Sequence, residues 1–185
     1  TKPRALAEYQ ELESFVKTQR ETPLNPWDIA FYTEKLRKQR YDISPEELRP
    51  YFPISQVLKG MFKIVEILYG LQVNEKPAVD VWDKEVQYFE IRDKENKLRG
   101  EFYIDLYARP QKRDGAWMGE CQNQRRLEDG KLQHPIAYIV TNFSPPTQER
   151  PGLLTHAEVE TLFHEFGHGL HHMLSKIEYT DVSGI

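Results

Sequence analysis

The sequence is poor in cysteine: Cys121 is the single thiol among 185 residues. One thiol excludes an internal disulfide, which is consistent with a reducing compartment such as the cytoplasm. The simplest interpretation of Cys121 itself is an ordinary, partly buried thiol.

The sequence also lacks an excess of basic charge and any long apolar run. Its 25 Lys and Arg against 29 Asp and Glu give a formal net charge of −4. Nucleic acid is therefore not expected as a partner, because the sequence has no excess of basic residues to bind phosphate groups. The apolar runs are far too short to cross a bilayer, so no membrane partner is expected either.

What is present is the composition of an ordinary globular protein, with 39% hydrophobic and 12% aromatic residues. The length suits about one domain with a sizeable core. The chain opens at Thr1 without a signal peptide and runs straight into a helical pattern. Both ends are expected to continue in a longer, cytoplasmic protein.

Helical periodicity dominates residues 1–70 and predicts a helical scaffold. Helices are expected over about residues 3–20, from Pro26 to about Arg40, from the capping residue Ser44 to before Pro53, and from about Val57 to Gly70. The residues expected to face inward are Leu6, Tyr9, Leu12, Phe15, Val16, Ile29, Tyr32, Leu36, Val57, Leu58, Met61, Phe62, Val65 and Leu68.

Residues 71–145 predict a small β-rich segment. Alternation over residues 101–108 indicates a half-buried strand, with Phe102, Ile104, Leu106 and Ala108 inward. Residues 86–92 are its expected hairpin partner, joined through residues 93–97. Residues 136–143 are apolar on both faces, which favours a more central strand.

Two carboxylates, Glu101 and Asp105, fall on the outward face of that half-buried strand. Four residues apart on a strand, they are separated by about 13 Å and cannot act on one substrate atom. We interpret both as solvated surface.

Residues 114–119 contain two glycines that allow a tight turn. This segment is either a plain surface loop or part of a cleft that holds a peptide as an added strand. Residues 144–152 form a proline-rich loop.

The strongest signal is the stretch THAEVETLFHEFGHGLHHMLSK, residues 155–176. Thr155 and Glu158 have the spacing of a capping box, which predicts a helix start. Apolar residues then recur at helical spacing: Val159, Leu162, Phe163, Phe166, Leu170, Met173 and Leu174. Inside this helix, His164, Glu165 and His168 form H-E-x-x-H, a signature of zinc peptidases.

Helix geometry places the two histidines opposite the apolar residues. With His164 at zero, His168 lies near 40° and His171 near −20°, whereas the apolar residues fall between about 160° and 280°. Two imidazoles one turn apart can reach one zinc ion. Glu165, about 100° round, is placed beside the metal, where it can contact a metal-bound water as a general base without being a ligand.

The same stretch holds two further histidines, and a catalytic zinc ion needs a third protein ligand. His171 lies on the metal side of the helix and is a candidate hydrogen-bond donor to a metal ligand, or a ligand itself, but for His171 and His172 a half-buried ring bonded to a carbonyl is the favoured interpretation. Gly167 and Gly169 each cost about 1 kcal/mol of helix propensity, which indicates either a closely packed neighbouring backbone or simply tolerated strain. The metzincin positions hold His171 and Leu174, which excludes that class. Glu178 and Asp181 follow too soon, so the third ligand is expected beyond Ile185.

Several stretches together resemble the thimet oligopeptidase family of zinc peptidases, from about Trp27 to Ile185. They are YFPISQVLKGMFKIVEILYG, VDVWDKEVQYFEI, LRGEFYIDLYARPQKRDGAWM, FHEFGHGLHHML and DVSGI. The resemblance implies a mostly helical zinc peptidase in which two lobes enclose a deep channel and cut short peptides. It implies that His164 and His168 are zinc ligands and Glu165 the general base. A glutamate about two dozen residues after His168 would be the third ligand.

We therefore expect an α+β, predominantly helical fold: a partial zincin-like catalytic region with a small antiparallel sheet. Residues 1–185 would be one partial domain, with a helical scaffold (1–70), a β-rich segment (71–145) and a loop followed by the metal-binding helix (146–185). The expected function is a zinc metalloendopeptidase acting on short peptides, inactive as this piece alone. The alternatives are a dipeptidyl carboxypeptidase of the same family and a non-enzymatic helical interaction module.

Overall fold

A computed structural model of the chain describes residues 1–19, 23–41, 45–77, 79–147 and 151–184. The chain divides into two compact units, Thr1–Leu48 and Arg49–Ile185. The boundary between the units therefore precedes the change from helices to strands, which comes after Tyr69.

The first unit consists of helices. It contains α1 (Lys2–Gln19), a 3₁₀ turn (Pro26–Asp28), α2 (Ile29–Tyr41) and α3 (Pro45–Leu48). At the start of the 3₁₀ turn the Asp28 carboxylate accepts the backbone N–H of Asn25 at 3.2 Å. A small core joins α1 to α2; its buried residues are Leu12, Val16, Leu24 and Tyr32, with Phe15 and Leu36 partly buried.

Some residues that were expected to face inward are exposed, and they lie near the ends of their helices. Leu6 is 52% exposed and Tyr9 is 44% exposed, because the buried positions of α1, Leu12 and Val16, lie in the second half of the helix. Ile29 is also exposed. In the second unit Leu68 is exposed near the end of its helix. The predicted capping residue Ser44 lies outside the described residues.

The second unit contains two long helices and seven strands among its described residues. After a 3₁₀ turn (Arg49–Tyr51) the elements are α4 (Ile54–Tyr69), β1 (Gln72–Glu75), β2 (Gln87–Arg92), β3 (Leu98–Tyr107), β4 (Trp117–Gln122), β5 (Arg125–Arg126), β6 (Leu132–Gln133), β7 (Ile136–Phe143), α5 (His156–Leu174) and a last 3₁₀ turn (Thr180–Val182). Gly70 ends α4 in the left-handed region, with φ 67°, where glycine carries no Cβ penalty.

Five strands form one sheet in the order β1-β2-β3-β7-β4. The antiparallel pairing of β2 with β3 confirms the predicted hairpin, and β7 is an inner strand as predicted. The expectation of a purely antiparallel sheet is wrong, because β3 and β7 pair in parallel and the sheet is mixed. Strand direction is set by the connection through β4, β5 and β6, which side-chain alternation does not encode. The fold is α+β, as expected.

Helices α4 and α5 share one core with the sheet. Phe62 on α4, Phe102 on β3 and Phe166 on α5 meet with ring centroids 5.4–6.3 Å apart. Such aromatic contacts add to the burial of large apolar area. The inward positions Phe102, Ile104 and Leu106 of β3 are buried as predicted. Ala108 lies beyond the end of β3 and is exposed, contrary to the prediction.

The opposite side of β3 carries Asp105, which is 4% exposed. The prediction of a solvated carboxylate is therefore wrong for this residue. Its oxygens accept hydrogen bonds from Arg109 at 2.7 and 2.8 Å, from Lys112 at 2.8 Å and from the Trp82 indole at 2.9 Å. Burial works to raise the pKa of Asp105, but these bonds outweigh it and hold the pKa at about 2. Glu101 is only partly buried and pairs with Lys76 at 2.9 Å.

Strand β4 is an edge of the sheet, and it begins at Trp117, within the predicted turn segment 114–119. Gly115 in that turn has φ 95°, a conformation that favours glycine. On its other side β4 has no partner strand among the described residues. Cys121 on this edge is exposed, so its interpretation as a partly buried thiol is wrong. None of the described helices is both long and apolar enough to cross a membrane.

Candidate metal centre

Helix α5 begins at the predicted capping box. The Thr155 hydroxyl oxygen accepts the backbone N–H of Glu158 at 3.2 Å, and a Glu158 carboxylate oxygen accepts the backbone N–H of Thr155 at 2.7 Å. These two bonds satisfy N–H groups that the first turn of a helix leaves unpaired. The capping residues therefore determine where α5 starts. The start of the helix in turn determines the direction in which each later side chain points.

The apolar side of α5 is packed against the sheet. Leu162, Phe166 and Met173 are buried, while Val159, Phe163, Leu170 and Leu174 are partly buried against the same core. His164 and His168 lie on the exposed side. One helix therefore anchors itself through its core side and presents two imidazoles to the outside.

The two imidazoles converge. The Nε2 atoms of His164 and His168 are 3.1 Å apart, and the ring planes are inclined by 85°. Without a metal this separation allows one ring nitrogen to donate a hydrogen bond to the other, depending on the tautomers.

The same separation fits a metal ion. Two ligands at about 2.0–2.1 Å from a tetrahedral zinc ion lie about 3.3–3.4 Å apart. The observed 3.1 Å is close to that value, so a small rotation of either ring would give both nitrogens a common ion. Imidazole nitrogen is a preferred zinc ligand. The two histidines therefore fit half of a tetrahedral coordination shell.

A third ligand is not found in the described part of the chain. Those residues contain no cluster of three or more His, Cys, Asp or Glu side chains placed to hold an ion. Glu178 accepts two hydrogen bonds from Arg126, each 2.8 Å long. It is therefore held by a partner of its own, in line with its exclusion as a ligand. The side chain of Asp181 lies outside the described set.

Glu165 follows His164 directly and is partly buried, between the exposed histidines and the packed side of α5. A carboxylate on this flank cannot point along the same direction as both imidazoles, since it is about 100° away on the helix. If the two rings held an ion, this flank would place the carboxylate beside the ion rather than among its ligands. That is the position a general base needs.

The remaining histidines of α5 differ from each other. His172 is 1% exposed and its Nε2 lies 3.0 Å from the carbonyl oxygen of Gln122, so it is bonded to a carbonyl as predicted and is fully rather than half buried. His171 is exposed, which overturns its interpretation as half-buried. The sequence pattern missed the deep burial of His172 because the residue lies near 80° on the helix, outside the apolar positions, and the strand that covers it is far away in the sequence.

The two glycines of α5 also differ. A Cβ built on Gly169 would meet Cδ1 of Ile139 at 2.6 Å, so α5 approaches β7 closely there, through a side chain rather than a backbone. A Cβ on Gly167 would meet nothing within 4 Å. A close neighbour is therefore present at Gly169, but it is a side chain and not the predicted backbone, and at Gly167 the prediction is wrong.

This difference gives a matched pair of variants. Gly167→Ala is expected to raise the free energy of unfolding by about 0.5–1 kcal/mol, because Ala restricts the unfolded chain and favours the helix. Gly169→Ala is expected to gain nothing or to lose stability, because Ile139 must move. Urea denaturation of both variants measures the difference. Equal effects at the two positions would contradict the close approach at Gly169.

Comparison with known proteins shows which family the chain belongs to. The model of peptidase family M3 matches residues 1–185. The chain belongs to peptidase family M3. The resemblance to the thimet oligopeptidases is confirmed by this match and by the relatives that follow.

Three M3 relatives illustrate the similarity. Oligopeptidase A of Escherichia coli is 51% identical over 185 residues, covering 100% of this chain and 27% of the relative. A thimet-like oligopeptidase of Dictyostelium discoideum is 37% identical over 194 residues, covering 98% and 29%. Dipeptidyl carboxypeptidase of Escherichia coli is 38% identical over 160 residues, covering 86% and 23%. The chain thus spans only about a quarter of the length of these M3 peptidases.

Proposed function

We propose that this chain is the metal-binding part of a longer zinc endopeptidase of family M3, which hydrolyses internal bonds of short peptides. The observation that carries the proposal is the 3.1 Å separation of the His164 and His168 Nε2 atoms on the exposed side of α5. Membership in a peptidase family supports it. The proposal includes a zincin-like arrangement, a cytoplasmic location and a third ligand contributed by a part of the protein beyond this chain.

Three residues of α5 have separate roles in this proposal. His164 and His168 hold the ion, and Glu165 takes a proton from the attacking water and passes it to the nitrogen of the leaving amine. A bound zinc ion polarises the peptide carbonyl and acidifies water. The packed side of α5 supports this arrangement, because it keeps the helix from rotating and so keeps both imidazoles aimed at one point.

The substrate is proposed to lie along β4. This strand has an edge without a partner strand among the described residues, and α5 packs beside it. An extended peptide can add to such an edge through backbone hydrogen bonds, which places its carbonyl groups without requiring a particular sequence. That mode of binding suits an enzyme that cuts many short peptides.

The test is peptide hydrolysis by the full-length protein. We expect activity that is lost on treatment with a chelator and restored by zinc. A dipeptidyl carboxypeptidase is the second candidate, favoured by the 38% identity to such an enzyme. A peptide with a blocked carboxyl terminus separates the two, because only an endopeptidase needs no free terminus. A full-length protein without zinc and without hydrolysis would favour the non-enzymatic module instead.

The isolated 185-residue chain is expected to be inactive and to bind zinc weakly. Structural sites gain about 10–16 kcal/mol from four ligands together, so a pair of imidazoles provides only part of that energy. Calorimetric titration is expected to give a micromolar or weaker dissociation constant, which His168→Ala weakens further. Nanomolar affinity in the isolated chain would contradict the need for a third ligand outside it.

A further inference from the structure

His172 is the buried polar residue of α5, one turn beyond His168. Its side chain is 0% exposed, whereas His164, His168 and His171 are exposed on the same helix. A fully buried imidazole is unusual unless its polar atoms have partners, because burying an unpaired polar group costs free energy. The partners of His172 therefore indicate what the residue is for.

The contacts of both ring nitrogens lie on the edge strand β4, but only one is a hydrogen bond. The Nε2 atom lies 3.0 Å from the carbonyl oxygen of Gln122 and donates a hydrogen bond to it, while Nδ1 lies 3.6 Å from Oε1 of Glu120 and has no hydrogen-bond partner among the described residues. The pairing of β4 with β7 shifts register between Glu120 and Gln122, where Cys121 is bulged out. His172 thus contacts β4 on both sides of the bulge.

Two further close contacts of α5 are with the inner strands. Gly169 lies against Ile139 of β7, and Met173 lies against Gly100 of β3, where an added Cβ would come within 2.8 Å of the Met173 Cβ. These apolar contacts fix the height of α5 above the inner strands. Strand β4 is held by its pairing with β7 and by Met118, which packs against the same core, but its pairing shifts register between Glu120 and Gln122, the two residues that His172 contacts.

We propose that His172 is a positioning residue: it holds β4 at a fixed place on the helix that carries His164, Glu165 and His168. The inference rests on the proposed function, in which β4 receives the peptide. Because the bound peptide takes its position from β4, the Nε2 bond sets where the scissile carbonyl falls relative to the two imidazoles. A peptide that pairs with a displaced β4 cannot also place its carbonyl beside the two imidazoles, so peptide binding weakens and KM rises.

The competing explanation is that His172 only fills the core. In that case its loss would weaken folding, zinc binding and peptide binding together. A positioning role instead predicts a selective loss in the Michaelis constant for peptides, because the ion and its ligands are on α5 itself. A small hydroxamate such as acetohydroxamate serves as a probe of the metal alone, since it contacts the ion without lying along β4.

The experiment compares His172→Leu and His172→Gln in the full-length protein, with His156→Gln as the control on the exposed start of α5. Leu fills the space without a donor, whereas the Gln amide can donate to the Gln122 carbonyl. We expect His172→Leu to raise KM for a hexapeptide roughly tenfold, and His172→Gln to restore it to within about threefold. Zinc content and the inhibition constant of acetohydroxamate should stay at wild-type values in all three variants.

Unchanged KM in His172→Leu, or parallel loss of zinc, hydroxamate binding and peptide binding, would overturn the positioning role. If the Leu variant does not fold, His172→Asn replaces it, because its amide is one bond too short to reach the carbonyl. Equal KM for the Asn and Gln variants would likewise overturn the inference. A wild-type protein without peptidase activity would contradict the proposed function itself, whereas an active wild type with unaffected variants would contradict only the role of His172.

Discussion

Glu165→Gln in the full-length protein is expected to lower kcat by a factor of roughly 10²–10⁴ while one zinc ion stays bound per chain. The amide has the shape of the carboxylate but cannot take a proton from the attacking water. His164 and His168 are unchanged, so the metal site should remain. Steady-state hydrolysis of a short peptide, with metal analysis on the same preparation, measures both quantities.

A matched control is available on the same helix. Glu160 has an exposed side chain that lies 3.5 Å from His156, one to two turns before the metal pair. Glu160→Gln removes the same charge from α5 and is expected to leave kcat unchanged. Near-normal turnover in Glu165→Gln would refute its role as general base. Loss of zinc together with activity would show instead that Glu165 maintains the metal site.

Asp105→Asn is expected to lower the free energy of unfolding by about 3–5 kcal/mol, because it leaves a buried cation without its counter-charge. Lys112 has a side chain only 5% exposed, and besides Asp105 it donates to the backbone carbonyls of Tyr107 and Thr141 at 2.9 and 2.6 Å. Arg109 would also lose the nearer of its two carboxylates and keep only Asp83, at 3.6 Å. Urea denaturation followed by tryptophan fluorescence measures the change, since Trp82 donates to Asp105.

Glu101→Gln is the matched control for this prediction. It removes the same charge from the same face of β3, but its partner Lys76 is 43% exposed. A pair of that kind contributes about 1 kcal/mol or less. Equal effects of the two substitutions would contradict the distinction between a buried network and a solvent-screened pair.

The Asp105 network also predicts how stability depends on pH. The pKa of Asp105 is held at about 2, below its ordinary value. Its ionised form therefore stabilises the folded state fully above that ordinary value, and the contribution is lost as the pH falls toward 2. Wild type should lose more stability than Asp105→Asn over this acidic range. If the free energy of unfolding fell equally with pH in wild type and Asp105→Asn, folding would not hold the Asp105 carboxylate in its ionised form.

The sequence was sufficient to predict α5 and its two sides. The capping residues Thr155 and Glu158 mark the start of the helix, and the apolar period is uninterrupted through Phe166. These are local signals, because capping bonds and helical spacing depend on residues within a few positions of each other. The convergence of the His164 and His168 rings follows from the same spacing.

Features that depend on distant residues were not predictable from local pattern. Asp105 has the alternation of a solvent-facing residue, and only its contacts with Lys112 and Trp82 bury it. The parallel pairing of β3 with β7 depends on a connection of several strands. The partner of His172 is fifty positions away on β4. In each case the deciding contact joins segments that are far apart in the chain.

The central claim is that the imidazoles of His164 and His168 hold one metal ion together. Its most direct test is the zinc content of the purified full-length protein, its His164→Ala and His168→Ala variants, and the control His156→Ala. We expect one zinc ion per chain in wild type and control, and substantially less than one in either ligand variant. Full zinc occupancy in both His164→Ala and His168→Ala would contradict the account.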